Sequence, residues 1–218
     1  MQIAIPVFDD LTALDAIGPY EVLSRLPGAR VVFVGAEARP YVSDNGMLRM
    51  HADAMLDAVP APDIVCVPGG VGVRRELDGP VVSWIRAAHA SSTWTTSVCT
   101  GSLLLGAAGV LNGLRATSHW LSLERLRDFG AAPTGERVVA QGRVITAAGV
   151  SSGIDMALVL VGRIAGDDVA QAIQLSIEYD PQPPYDAGSP EKAPVATVEL
   201  VRAAVAERER RASARVTA

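Results

Sequence analysis

Histidine, cysteine and aromatic side chains are all scarce here: three histidines, two cysteines and 5% aromatic residues among 218 positions. Two cysteines, Cys66 and Cys99, do not make the disulfide framework that staples small secreted domains. The histidines, His51, His89 and His119, form no cluster with cysteine or acid at metal-ligand spacing, so no metal is expected. With so few rings, a core must be built from Val, Leu, Ile and Ala. Basic charge is short too. Lys and Arg number 19 against 24 Asp and Glu, a net charge of −5, which argues against a nucleic-acid partner, since that needs a basic face.

Long apolar runs are also missing. "MQIAIPVFDDL" lacks a basic leader and stops at Asp9 and Asp10, so it reads as a first strand rather than a signal peptide. "SSGIDMALVLVGRIAG" is interrupted by Asp155 and Arg163, too short and too charged to cross a bilayer. The expectation is a soluble, cytoplasmic chain with no membrane partner. "GGVGVRR" lacks the third glycine of a dinucleotide fingerprint, and no P-loop lysine motif occurs.

What is present is core material and alternation. Hydrophobic residues make up 49% of the chain, enough for one large domain spanning 1–218. "QIAIPVF", "ARVVFVG", "DIVCVPGG" and "TWTTSV" read as strands, apolar almost throughout, as strands covered on both faces should be. Between them lie helical patterns. "LTALDAIGPYEVLSRL" is a helix interrupted near Gly18-Pro19, and "PVVSWIRAAHA" a helix with Pro80 in its first turn. Such alternation predicts an α/β fold, a mostly parallel sheet with helices on both faces.

Further on, "LRATSHW" reads as a short strand and "LSLERLRDFG" as a helix ending at Gly130. "ERVVAQGRVITAAG" reads as a hairpin turning at Gln141-Gly142. "SSGIDMALVLVGRIAG" is a helix with Ser151 or Ser152 as N-cap, and "DDVAQAIQLSIEY" is another. The proline-rich stretch at about 180–194 reads as an extended arm or surface loop. The helix that follows it ends in an Arg/Glu run expected to be solvated.

One stretch concentrates the chemistry. In "TWTTSVCTGSLLLGAAG" a strand climbs to Cys99 at the point where a helix begins, and Leu103, Leu104 and Leu105 anchor that helix. Ligands of parallel sheets bind outside the carboxyl ends of the strands, and a helix N-terminus favours a thiolate. Either Cys99 is a nucleophile of lowered pKa, or it is a small buried filler. Cys66, between two valines, is structural. "VPGG" ends the preceding strand, and the N–H groups of Gly70 and Thr100 are candidate oxyanion-type donors. Asp15 is an acid between Leu14 and Ile17, either functional or a helix cap or exposed acid. Glu21 is expected to face solvent. His119, beside Trp120, is either a site residue or a satisfied partly buried one; His51 and His89 sit in surface-like contexts.

The ordered set "LDAIGPYEVL", "VPGG", "SVCTGSLLLGAAGVL", "ATSHW", "TAAGVSSGIDMAL" and "AQAIQLSIEYDPQPPYDAGSP" resembles the DJ-1/PfpI superfamily. Within it, the chain is most similar to the isonitrile (isocyanide) hydratases, from about Ile3 to Pro194. The resemblance implies a flavodoxin-like sandwich, Cys99 as nucleophile, Asp15 as acid partner, and Thr100 and Gly70 as hydrogen-bond donors, with His119 nearby. It implies a homodimer with the site near the interface, an isocyanide substrate and no cofactor. "TAAGVSSGIDM" departs slightly from the flavour of those proteins, which touches the pocket wall. Two other readings compete. Transcription regulators carry the same sandwich joined to a helix-turn-helix domain, for which the chain leaves no room after Ala193. Glyoxalase-like and peptidase-like members usually place a glutamate where this chain offers Asp15.

Overall fold

The computed structural model describes residues 1–214; the last four residues of the expected domain lie outside the described residues. The chain opens with β1 (Gln2–Pro6), α1 (Ala13–Leu23) and β2 (Arg30–Gly35). A small hairpin, β3 (Pro40–Val42) and β4 (Arg49–His51), and a two-residue strand, β5 (Ala54–Met55), follow. Next come β6 (Ile64–Val67), α2 (Val73–Glu76), α3 (Pro80–Ser91), β7 (Trp94–Val98) and α4 (Gly101–Ala107). The second half holds β8 (Arg115–Ala116), a 3₁₀ segment (Trp120–Phe129), β9 (Ala132–Pro133), β10 (Val138–Gln141) and β11 (Val144–Ala147). It ends with α5 (Ser152–Ala165), α6 (Asp167–Ser176) and α7 (Val195–Ala214).

The central sheet has seven strands in the order β10-β11-β7-β6-β1-β2-β5. Only the β10–β11 pair is antiparallel. The four inner strands β1, β6, β7 and β11 are almost wholly buried runs of Ile, Val, Thr and Ala, as a sheet covered on both faces requires. α1 packs on α5, and α5 on α6; α3 and α4 pack together elsewhere on the sheet. Strand order reverses beside β1, flanked by β2 and β6. Crevices at such a reversal, beyond the strands' carboxyl ends, are where ligands bind in open α/β sheets.

Several local expectations are corrected. α1 runs unbroken through Gly18-Pro19 because both residues are interior packing surface. A Cβ on Gly18 would stand 3.2 Å from Ile154 Cγ1, and one on Gly153 would stand 3.2 Å from the Pro19 ring. The buried crossing of α1 and α5 outweighs the hydrogen bond that proline forfeits. The segment "LSLERLRDFG" ends at Gly130 in the left-handed region, but is 3₁₀ rather than α. Leu123, Leu126 and Phe129 recur every third residue, in step with Trp120 before them, which matches three residues per turn and puts those three against the core. The β10–β11 turn comprises Gly142 and Arg143, one residue later than expected, with Gly142 at positive φ. Neither Ser151 nor Ser152 caps α5 through its hydroxyl; Ser152 Oγ donates instead to the Gly149 carbonyl. Only Arg115 and Ala116 of "LRATSHW" are strand. His89 is half-buried, its Nδ1 2.8 Å from Thr95 Oγ1. The 180–194 stretch holds no helix or strand and is mostly exposed.

α4 enters the fold under tight constraint. Leu103, Leu104 and Leu105 are fully buried, and a Cβ on Gly101 would stand 2.3 Å from the Val67 carbonyl oxygen. Gly101→Ala is therefore expected to destabilise by about 2–3 kcal/mol, because the clash is with backbone. That is the opposite sign from the ~1 kcal/mol that alanine gains over glycine inside a helix. Thermal melting of the variant checks it.

Candidate active site

Three adjacent strands deliver the site: β1 leads to Asp15 on α1, β6 to Gly69 and Gly70, and β7 to Cys99. Cys99 sits at φ +58° on the turn between β7 and α4, a left-handed conformation that costs a non-glycine residue about 1–3 kcal/mol. Hydrogen bonds on both sides hold it there. Its N–H donates to the Ala147 and Ala148 carbonyls at 3.1 and 2.9 Å. Its carbonyl accepts the hydroxyls of Ser102 at 3.0 Å and Ser118 at 3.1 Å. The thiol is thereby presented at a fixed angle and is 5% exposed.

Asp15 is fully buried on α1, one turn in from the helix start. Its Oδ2 accepts the Gly69 N–H at 2.9 Å. Its Oδ1 has no partner of good hydrogen-bond geometry, and the carboxyl and the Cys99 thiol act directly on one another. Burial lifts the Asp15 pKa to about 7, against the Gly69 hydrogen bond, which favours the ionised form. The thiol is pushed up as well, first by burial and then by the Asp15 charge, while the backbone N–H groups of Thr100 and Val150 pull it back. The sequence argument expected a lowered thiol pKa. The helix terminus favours the thiolate, but near-complete burial and the Asp15 charge outweigh it. The two groups titrate as a pair. When Asp15 carries the proton the repulsion disappears, its O–H faces the sulfur, and two N–H donors remain to hold a thiolate.

The elevated Asp15 pKa has a consequence for stability. Its folded pKa lies above the unfolded one near 3.9, so ionising the carboxyl is harder in the folded protein. Stability from this group is full below about pH 4, is lost as pH rises to 7, and is flat above. The loss is on the order of 4 kcal/mol. Asp15→Asn is expected to melt well above wild type at pH 8, with the gap closing toward pH 4; parallel melts across that range check it.

The remaining expected residues are placed as follows. Thr100 and Gly70 are hydrogen-bonded to each other: the Gly70 N–H donates to Thr100 Oγ1 at 2.9 Å, and that hydroxyl reaches the Gly70 carbonyl at 3.2 Å. Gly70 therefore does not aim a free N–H into the site, and the expected Gly70–Thr100 donor pair is not assembled. At φ +138° it also has backbone where a Cβ would go, 2.4 Å from the Asp10 carbonyl oxygen. His119 lines the same pocket as Cys99. Its Nδ1 accepts the Leu121 N–H at 3.3 Å and burial lowers its pKa, so it stays neutral with the proton on Nε2. No hydrogen bond joins it to Cys99 or Asp15 among the described residues. Glu21 lies on the exposed side of α1, paired with Arg25 at 2.7 Å, and His51 is exposed on β4. Cys66 is buried in β6, its thiol pushed up to about 12 by burial. Among the described residues no three of the His, Cys, Asp and Glu side chains could share a metal ion.

Sequence reasoning missed Val150, which stands at φ +39° and turns its N–H to the sulfur. Although it singled out "VPGG", it did not show that the Gly69 N–H holds the Asp15 carboxylate. It also missed α7. The expected solvated end docks: Arg74 pairs with Glu209 at 3.2 Å and Arg75 donates to the Ala212 carbonyl at 3.2 Å. Val205, Arg208 and Glu209 thus form one wall of a cavity of about 420 Å³ that opens onto Cys99.

Comparison with known proteins adds to this geometry. The model of the DJ-1/PfpI family matches residues 1–163. The chain belongs to the DJ-1/PfpI family. It is 43% identical over 203 residues to an isonitrile hydratase of Pseudomonas putida, covering 93% of this chain and 89% of that protein. It is 27% identical over 179 residues to the HTH-type transcriptional regulator CdhR of Pseudomonas aeruginosa, covering 80% of this chain but 52% of the regulator. Among solved structures, a THiJ/PfpI family protein from Pseudomonas syringae superposes with a TM-score of 0.91 at 36% identity. That match covers 98% of this chain and 89% of that one. In this DJ-1/PfpI protein no described helix is long and apolar enough to cross a membrane.

Proposed function

We propose that this protein hydrates an isocyanide to an N-substituted formamide through a covalent intermediate on Cys99. The observation that carries the reading is the buried Cys99–Asp15 pair, in which one proton is held beside a sulfur that faces a cavity. Similarity to the Pseudomonas putida isonitrile hydratase over 93% of the chain supports it.

The Cys99 thiol passes its proton to the Asp15 carboxylate, and the thiolate attacks the terminal carbon of R–N≡C. The proton now on Asp15 goes to that same carbon, which leaves Cys99–S–CH=N–R. Water adds across the C=N bond, its oxygen to carbon and a proton to nitrogen. The Cys99 sulfur then departs with the C–S bonding pair, the hydroxyl proton returns to the Cys99–Asp15 pair, and R–NH–CHO is released. Thr100 and Val150 N–H groups stabilise the sulfur anion on entry and departure. Thr100 Oγ1 fixes Gly70 and with it the loop that holds Asp15 through Gly69. Incubation with simple aliphatic isocyanides, one neutral and one bearing a carboxylate, with the formamide followed by mass spectrometry, tests the reading; no formamide from either with well-folded protein would refute it.

We propose also that two chains form a homodimer. Tyr185 in the proline-rich stretch, and Val195 and Leu200 on α7, are each at least 70% exposed, an apolar set that a partner would cover. Sedimentation at micromolar concentration is expected to give twice the chain mass; a monomer would refute this.

A further inference from the structure

The pocket over Cys99 has a charged rim that hydration of a neutral isocyanide does not call for. Its floor is nearly neutral: Cys99, Gly70, Thr100 and Val150, with His119 beside them. Arg74 and Arg208, both exposed, and Arg125, half-buried, line the outer part of the same pocket with the acids Asp44 and Glu209. The two acids and one arginine are already engaged. Glu209 pairs with Arg74 at 3.2 Å, and Asp44 Oδ2 accepts the Thr12 hydroxyl at 2.9 Å. Among the described residues, Arg125 and Arg208 make no hydrogen bond or ion pair. A chain of net charge −5 thus turns two free guanidinium groups, from the 3₁₀ segment and from α7, onto the mouth of the pocket that holds its nucleophile.

We infer that the substrate is an isocyanide whose substituent carries a carboxylate, with Arg125 and Arg208 as its specificity-determining residues. The inference rests on the hydratase reading. The isocyanide carbon must reach the sulfur at the floor, so the substituent on nitrogen points to the mouth. There an apolar group would cover two guanidiniums without pairing them, at a desolvation cost, whereas a carboxylate accepts their N–H groups in charge-assisted bonds. Glu209, held by Arg74, keeps α7 in place so that Arg208 faces inward. Pairing with the two guanidiniums neutralises the carboxylate, so that it does not disfavour the thiolate.

The test compares isocyanoacetate with its methyl ester, two isocyanides of similar size that differ in charge. Wild type is expected to give a KM for the carboxylate about tenfold or more below that for the ester, with kcat alike within a few-fold. The advantage should shrink as ionic strength rises. In Arg125→Gln, Arg208→Gln and the double variant, each first matched to wild type in melting temperature, the carboxylate-to-ester ratio of kcat/KM should fall toward one. Equal KM values in wild type, or a preference for the ester, would overturn the inference and leave the hydratase reading standing. A preference that persists in the double variant would overturn the assignment to these arginines. Failure to turn over either compound would overturn the hydratase reading and the inference with it.

Discussion

Cys99→Ala is expected to lower formamide production from an isocyanide by at least about 10⁴-fold, the scale on which removing an enzyme nucleophile acts. The fold should be unharmed. Removing Sγ deletes one small buried atom, while the bonds that hold the turn run through the backbone, to Ala147, Ala148, Ser102 and Ser118. Cys66→Ser is the control. Its thiol is fully buried, within β6 and with Thr96 as its neighbour. It should keep kcat within about twofold and cost only the ~1–3 kcal/mol of burying a hydroxyl. Turnover followed by mass spectrometry, with melting curves, separates the two effects. Substantial hydration by Cys99→Ala would remove covalent catalysis from the account.

The second large effect belongs to Asp15. Asp15→Asn preserves shape and can still accept the Gly69 N–H, yet has no proton to give the isocyanide carbon. A loss of about 10²–10⁴ in kcat is expected, the usual contribution of a positioned acid. Alkylation of Cys99 should move the opposite way. With Asp15 ionised, as it is above pH 7, its charge holds the thiol protonated; asparagine removes that repulsion. At pH 8 the variant should therefore react faster than wild type with iodoacetamide while hydrating more slowly. A variant that lost both reactivities together would mean that Asp15 only positions the loop. Asp15→Glu should also fail. An extra methylene moves the carboxyl by roughly an ångström, inside a site with no slack, enough to spoil positioning.

The side chains proposed to do chemistry were easier to read in the sequence than the backbone groups that hold them. Cys99 was legible because a strand-forming run, a polar turn and a leucine stripe follow one another without a gap. Asp15 was only half legible: spacing left a helix cap or an exposed acid open beside Leu14, which is itself 42% exposed, and the family resemblance pointed to the acid that the fold buries completely. Val150 was not, since its N–H does the work and a valine at positive φ leaves no trace in composition. Gly69 and Gly70 were seen as a pair, but which N–H turns to which partner depends on Asp15 and Thr100, residues 54 and 30 positions away. Nonlocal packing also decided Gly18-Pro19. Locally the pair is a helix break; against Gly153 and Ile154 it is a contact surface. The 3₁₀ segment is a different case. Its spacing of three was present in Trp120, Leu123, Leu126 and Phe129, and was read as the looser period of an α-helix. The docked end of α7 was hidden because an Arg/Glu run looks solvated wherever it lies, and only the fold brings Arg74 to Glu209.

The most direct test of the account is a rapid-quench mass measurement of the intact protein during turnover of a slowly hydrated isocyanide. The account predicts a species heavier by one isocyanide, with the added mass localised to Cys99. It should form within the first turnover, decay at the rate of formamide release, and be absent in Cys99→Ala. Formamide released at full rate with no such species, or with the added mass on another residue, would contradict it.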